Sequence, residues 1–214
     1  MSRSAALAAL LLLTAPAGAA ELGRIDLVPL GAELSAADTE AVRVALAEVY
    51  GVEVRVRAVA PLPKAAWYAP RKRWRAEALL AYLAALPDVD GHADRILGLT
   101  AADISTTKGA IHDWGVLGLG SIDGRSGVLS RFRCDKQGKD PLRARARLAK
   151  VAVHELGHTL GLDHCPHVGC LMEDAEAKVA TCDREYDLCA RCRGLLAAHG
   201  YHLPPSPKLP WPRP

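Results

Sequence analysis

Apolar and polar residues alternate with changing period along most of this 214-residue chain. A period of two predicts β-strands, and recurrence at three- and four-residue spacing predicts helices. The predicted strands are residues 24–30, 52–59, 95–99, 114–121 and 128–132, and the predicted helices lie near 36–50, 71–83, 140–160 and 185–198. This order of elements predicts an α/β (α+β) fold, in which helices pack on a mixed, twisted sheet.

The longest of these helices has a clear start and a clear buried face. Asp140 followed by Pro141 is typical of an N-cap and a first helical turn. Apolar residues then recur at helical spacing, at Leu142, Ala146, Ala149, Val153, Leu156 and Leu160. We therefore expect this helix to be anchored in the core.

The first twenty residues are predicted to be a signal peptide rather than part of the fold. Arg3 supplies a positive charge, residues 5–13 are uninterrupted apolar, and residues 17–19 are small enough for cleavage. The alternative is an N-terminal anchor that stays attached, although the apolar run is short for a bilayer. We expect a secreted or periplasmic protein with one domain at residues 21–200, followed by a disordered or extended Pro-rich tail at 201–214.

The overall charge gives little indication of a charged partner. The formal net charge is +3, which is too mild to indicate nucleic-acid binding or attachment to a membrane surface after signal cleavage. One basic cluster, at Arg71, Lys72, Arg73 and Arg75, is interpreted as the solvated face of a helix start, although it could also bind an anionic polymer. We expect no nucleic-acid partner, and we expect a monomer.

The most specific pattern is the sequence HELGHTLGLDHC, which begins at His154. On a helix, His154 and His158 lie one turn apart and can bind one Zn²⁺, while Glu155 is placed to act on a water molecule at the metal. Gly161 can end the helix in a left-handed conformation, so that the chain returns His164 as a third ligand. Three protein ligands leave one position open, which is typical of catalytic zinc. The alternative, a helix with ordinary core or surface histidines, is rare when all these offsets are met.

The six cysteines suggest a second metal site. Four of them form C-x₄-C and C-x₂-C pairs, a spacing that suits a closed, structural zinc site: Cys165, Cys170, Cys189 and Cys192. Disulfides are the alternative, because exported chains commonly pair an even number of cysteines. Cys134 and Cys182 are predicted to be free thiols or one disulfide, unless Cys182 replaces a nominated ligand. His167 is interpreted as a solvated loop residue, although it could bind either metal.

The extended motif resembles that of the metzincins, a clan of zinc peptidases, and the residues after it resemble the archaemetzincin family. That family places a Cys after the third His, another five residues on, a Met two later and a distal Cys-x-x-Cys, here Cys165, Cys170, Met172, Cys189 and Cys192. The resemblance implies a metzincin-like fold, two zinc ions per chain and a Cys-rich C-terminal segment that the second zinc holds in place. It also implies that Met172 forms an apolar floor under the catalytic zinc. Metzincins often carry a Tyr nearby, where this chain has Asp174 and Ala175.

Together these features predict a secreted zinc metallopeptidase that acts on a peptide or protein. Glu155 would accept the proton of the attacking water and pass it to the leaving amine. The resemblance implies an extended substrate along an edge strand, for which residues 114–121 are the candidate. The alternatives are a zinc hydrolase of non-peptide amides, such as cell-wall components, and a non-catalytic zinc-binding module. Because Glu155 and His164 are both present, the sequence favours an enzyme.

Overall fold

The computed structural model describes residues 22–31, 34–88, 90–91, 93–136, 140–176, 178–205 and 207–213. The predicted signal peptide lies outside these residues. Among the helices in the described part of the chain, none is long and apolar enough to cross a bilayer. The strands are β1 (Arg24–Leu30), β2 (Glu53–Val56), β3 (Trp67–Tyr68), β4 (Arg73–Arg75), β5 (Ala93–Thr100), β6 (Ile104–Lys108), β7 (Ile111–Val116), β8 (Gly118–Gly120) and β9 (Ser126–Ser130). The α-helices are α1 (Ala36–Tyr50), α2 (Ala76–Ala84), α3 (Pro141–Thr159), α4 (Thr181–Arg184) and α5 (Ala190–Ala198).

The central sheet has the strand order β2-β1-β5-β9-β8. The first four of these strands run parallel, and β8 pairs antiparallel with β9 at the edge. This confirms the predicted mixed sheet with packed helices. Every residue of β1 is buried, because helices cover both faces of the sheet. Ile25 and Leu27 pack with α1 and α3 in one apolar cluster, whereas Val28 and Leu30 pack with α2 in another.

A second, smaller sheet was not predicted. Its strand order is β3-β4-β6-β7, and β6 and β7 form an antiparallel hairpin. The prediction of one strand over residues 114–121 is wrong, because the chain bends at Leu117 and passes from β7 in the small sheet to β8 in the central sheet. The strand predicted at residues 52–59 is also shorter, ending at Val56.

The basic cluster does not start a helix. Lys72 has a left-handed backbone (φ 50°), and the following residues form strand β4, so that α2 begins only at Ala76. The guanidinium group of Arg73 donates to Asp103 and Asp113 at 2.8 and 2.7 Å. Arg73 is therefore paired with two carboxylates, and the interpretation of this cluster as the solvated face of a helix start is wrong.

The C-terminal part is less helical than the sequence pattern suggested. Instead of one helix near 185–198, the chain forms the short α4 and then α5, which has Cys189 as its N-cap. The segment between them is extended, because Asp187 accepts a main-chain hydrogen bond from Leu171. The Pro-rich end is extended and packed on this region. Trp211 is buried, and its Nε1 donates to the main-chain oxygen of Tyr186 at 2.9 Å.

Candidate active site

Helix α3 carries the first part of the motif. It begins at Asp140, whose side chain accepts hydrogen bonds from the main-chain nitrogens of Leu142 and Arg143, as the N-cap prediction requires. It ends at Thr159, and Gly161 follows in a left-handed conformation with φ of 90°. A Cβ is strained at this φ, so glycine permits the chain to reverse after the helix.

The structure brings the three predicted histidines together. His154, His158 and His164 each offer a ring nitrogen within 4.8 Å of the others, and the Nε2 atoms of His154 and His158 are 3.0 Å apart. Main-chain carbonyls orient two of the rings: Nδ1 of His154 lies 2.8 Å from the oxygen of Leu171, and Nδ1 of His158 lies 2.7 Å from that of Leu162. Because a carbonyl only accepts, each Nδ1 donates, and each Nε2 keeps its lone pair for a metal.

The protonation states of these rings suit a metal ligand. Burial, helped by the neighbouring His158, lowers the pKa of His154 to about 3, and burial also lowers the pKa of His158. Both rings are therefore neutral at neutral pH, which is the form that binds zinc. Three imidazole nitrogens that leave one coordination position open are ligands that zinc binds readily.

Glu155 lies beside the histidines and is buried, with 5% of its surface exposed. Burial raises the pKa of its carboxyl group to about 8, and a hydrogen bond with the main chain of Gly120 partly opposes this rise. Such a carboxyl group can hold or release a proton near neutral pH, which is what proton transfer during hydrolysis requires.

Two glycines let the edge strand β8 approach this carboxyl group. A Cβ on Gly118 would lie 2.4 Å from Oε1 of Glu155, and a Cβ on Gly120 would lie 2.5 Å from the main-chain oxygen of Glu155. Any other residue at either position would therefore collide with Glu155. Sequence reasoning missed this contact, and its only signal was the Gly-Leu-Gly spacing itself.

The histidines and Glu155 line a cavity of about 330 Å³. The wall opposite α3 comes from β8 and from the β6–β7 hairpin, including Lys108 and Trp114. The remaining wall comes from the chain after the third histidine, including Asp174, Ala175, Glu176, Cys182 and Glu185. Lys108 and Glu185 were not predicted as parts of the site, because each reaches it only through tertiary packing, whereas Trp114 belongs to the segment predicted as the substrate edge.

Met172 lies next to the helix that carries the first two histidines. Its side chain is fully buried, and a Cβ on Gly157 would lie 2.5 Å from its sulfur. The methionine therefore packs directly on the turn of α3 that carries the histidines. Near the position where metzincins often carry a tyrosine, Asp174 places Oδ2 3.6 Å from Nδ1 of His164. At this distance the carboxylate is in a position to orient the third histidine through a bridging water molecule.

The four predicted cysteines also form a cluster. The sulfurs of Cys165, Cys170, Cys189 and Cys192 all lie within 4.8 Å of one another. The distances are 3.6 Å from Cys165 to Cys189 and 3.7 Å from Cys170 to Cys192, far longer than a disulfide bond. Four free thiols at these separations match a tetrahedral zinc site. The exposed ring of His167 lies beside two of them, 3.4 and 3.5 Å from the sulfurs of Cys165 and Cys189.

The other two cysteines are free and buried. Burial raises the pKa of Cys134 to about 12 and raises that of Cys182 well above its usual value. Of the two predicted states, free thiols and a disulfide, the structure contains free thiols. Because the thiolate is the reactive form, these two thiols have low reactivity.

Comparison with known proteins agrees with this geometry. The profile of Peptidase family M54 matches residues 39–198. An archaemetzincin of Haloquadratum walsbyi is 28% identical over 179 residues, covering 80% of this chain and 98% of that protein. An archaemetzincin of Methanopyrus kandleri is 34% identical over 145 residues, covering 67% of this chain and 78% of that protein.

Solved structures show the same relationship. The crystal structure of the Methanopyrus kandleri archaemetzincin has a TM-score of 0.72 and 30% identity, covering 87% of this chain and 98% of that one. The Archaeoglobus fulgidus archaemetzincin, solved with malonate, has a TM-score of 0.66 and 29% identity, covering 82% and 99%. By sequence and fold, this chain therefore belongs to Peptidase family M54, the zinc metallopeptidases called archaemetzincins.

Proposed function

We propose that this metallopeptidase cleaves peptide bonds with a zinc ion held by His154, His158 and His164, and with Glu155 as the general base. The observation that carries this proposal is the position of Glu155, which is buried and lines the same cavity as the three histidines. When bound, zinc supplies a Lewis acid that polarises the scissile carbonyl and makes a water molecule more acidic.

The residues around the zinc site have two further roles in the reaction, proton transfer and substrate binding. Glu155 takes the proton of the attacking water on its carboxylate and returns it to the leaving amine. Strand β8 has no partner on its outer edge in the described part of the sheet, so an extended peptide can add there as a further strand. This assigns the substrate edge to residues 118–120 rather than to the longer strand first predicted.

We further propose that the four cysteines hold a second, structural zinc. Cys165 directly follows His164 in the chain, and its main-chain nitrogen donates to the oxygen of Met172 at 2.7 Å. A metal at the cysteine cluster would therefore fix the segment that carries the third histidine. Four thiolates close the coordination shell, so this ion would have no position for substrate.

The test is substitution of Glu155 by glutamine, with Glu176→Gln as the matched control. Both carboxyl groups line the cavity, but Glu176 lies at its exposed side, where its side chain pairs with Lys178. We expect Glu155→Gln to retain zinc, measured by mass spectrometry of the metal, and to lose at least about 100-fold in peptide hydrolysis. Glu176→Gln should retain both. Retained turnover in Glu155→Gln would contradict the assigned role.

Export is proposed on the sequence pattern of residues 1–20 alone. Expression of the full chain in a bacterial host, followed by fractionation, should place the protein outside the cytoplasm. N-terminal sequencing should find the mature chain beginning at residue 20 or 21. A chain that retains residues 1–19 in the cytoplasm would contradict this proposal.

A further inference from the structure

The cavity has an exposed end and a buried end. At the exposed end the side chain of His164 is 47% accessible and Ile122 is 60% exposed. At the other end the lining residues Val151, Cys182 and Glu185 are only 5%, 2% and 3% exposed. Val151 precedes His154 by three helical residues and so lies about 4.5 Å from it along the axis of α3. We call the part of the cavity lined by Val151, Cys182 and Glu185 its buried arm.

The buried arm has apolar walls and one carboxyl group. Val151 and the protonated thiol of Cys182 offer no strong hydrogen-bonding group, whereas Glu185 offers a carboxyl group buried on 97% of its residue surface. Among the described residues, this carboxyl group makes no hydrogen bond and no ion pair within 4.0 Å. Burial raises its pKa to about 8.

The basic residue beside Glu185 is occupied elsewhere. Lys150 donates from Nζ to the main-chain oxygens of Cys182 and Glu185, at 2.8 and 2.6 Å, and lies 5.7 Å from the ring centre of Trp211. Its ammonium group acts on the Glu185 carboxylate only at a distance, and Arg184 contributes a weaker attraction. Glu173 and Cys170 add negative character on the same side. No described residue therefore donates to the Glu185 carboxyl group, which leaves it able to accept a hydrogen bond from a ligand in the cavity.

We propose that this arm is a specificity pocket for a long basic side chain, lysine or arginine, and that Glu185 binds its charged end. The inference rests on the proposed peptidase function of the same site. In this proposal the aliphatic part of a lysine or arginine lies along Val151 and Cys182, and its cationic group donates to the carboxyl group of Glu185. A substrate with an uncharged side chain of the same length would leave the carboxyl group buried and unpaired.

The first experiment measures cleavage. Peptides that differ at one position next to the scissile bond, with lysine, arginine, norleucine or glutamate there, are incubated with the zinc-loaded wild type, and mass spectrometry identifies the products. We expect kcat/KM for lysine and arginine to exceed that for norleucine by at least about 10-fold. In Glu185→Gln this ratio should fall to within about 2-fold, because the amide keeps the shape but not the charge. Glu176→Gln, at the exposed end, should keep the wild-type ratio.

The second experiment measures binding without turnover. Calorimetry with Glu155→Ala should give a dissociation constant at least about 10-fold lower for the lysine peptide than for the norleucine peptide. Adding Glu185→Gln should remove this difference. If wild type cleaves every peptide without preference, or if the preference survives Glu185→Gln, the pocket assignment is wrong while the peptidase function stands. If nothing is cleaved, the function fails, and equal binding of the two peptides would then overturn the pocket as well.

Discussion

Replacing Gly118 by alanine tests how closely catalysis depends on the edge strand. The added Cβ would lie 2.4, 2.6 and 2.7 Å from Oε1, Cγ and Cδ of Glu155. Since ordinary contacts begin near 3.4 Å, the carboxyl group must move by about 1 Å. Misplacement of a catalytic group by this distance can cost about 100-fold in rate. Because the end of the Glu155 side chain can move more easily than a backbone atom, we expect Gly118→Ala to lower kcat much more than it lowers the stability of the fold.

The assay is hydrolysis of a cleaved peptide by the zinc-loaded variant, together with zinc content and thermal unfolding. We expect kcat to fall by about 100-fold while zinc content stays at the wild-type value. Gly194→Ala is the control, because nothing lies within 4 Å of its added Cβ, and it should keep full activity and gain about 0.5 to 1 kcal/mol of stability. Gly120→Ala, which meets main-chain atoms, should instead destabilise the fold. Full activity in Gly118→Ala would refute the proposed contact between β8 and the general base.

The remaining predictions concern the parts that support the site. Cys189→Ala should remove one zinc per chain and also lower peptide hydrolysis, because we propose that a zinc at the cysteine cluster fixes the segment that carries His164; metal analysis and kinetics would show both losses. Trp211→Ala should lower the free energy of unfolding by about 3 kcal/mol, measured by urea denaturation, because a buried indole is lost from the core. The guanidinium of Arg147 lowers the pKa of the Asp183 carboxyl group below its usual 3.8, so this pair stabilises the fold above that pH and ceases to do so as the carboxyl group is protonated. The stability difference between wild type and Asp183→Asn should therefore shrink between pH 7 and pH 3.

Each of these expectations has a contrary result. Unchanged hydrolysis in a Cys189→Ala protein that has lost one zinc would show that the two sites are independent. A Trp211→Ala protein as stable as wild type would show that the Pro-rich end contributes nothing to the fold. A destabilisation of Asp183→Asn that is constant over the pH range would show that the ion pair has no part in the stability of the native state.

The features predicted best from the sequence are those that depend on residues close together in the chain. Asp140, Pro141 and the apolar stripe after them determine one long helix, and the offsets of the histidines follow from that helix and from Gly161. The cysteine spacing likewise identified a cluster that the structure assembles. These patterns are informative because neighbours in the chain become neighbours in space.

What the sequence did not predict depends on contacts between distant segments. The basic residues near Arg73 match a helix start by composition, but Arg73 forms ion pairs with Asp103 and Asp113 and lies in a strand of a separate sheet. The fit of Gly118 against Glu155 and the approach of Glu185 to the cavity also join residues far apart in the chain. A single sequence carries no local signal for such contacts.

The hydrogen bond from Nδ1 of His154 to the main-chain oxygen of Leu171 has a consequence for protein engineering. Leu171 lies outside the twelve residues from His154 to Cys165, so those twelve residues alone cannot aim the first histidine. Transplanting them onto an unrelated helix should therefore give a weak zinc site. A graft that reproduces the native site has to extend at least to Met172, and with the structural zinc proposed above it also has to include the four clustered cysteines.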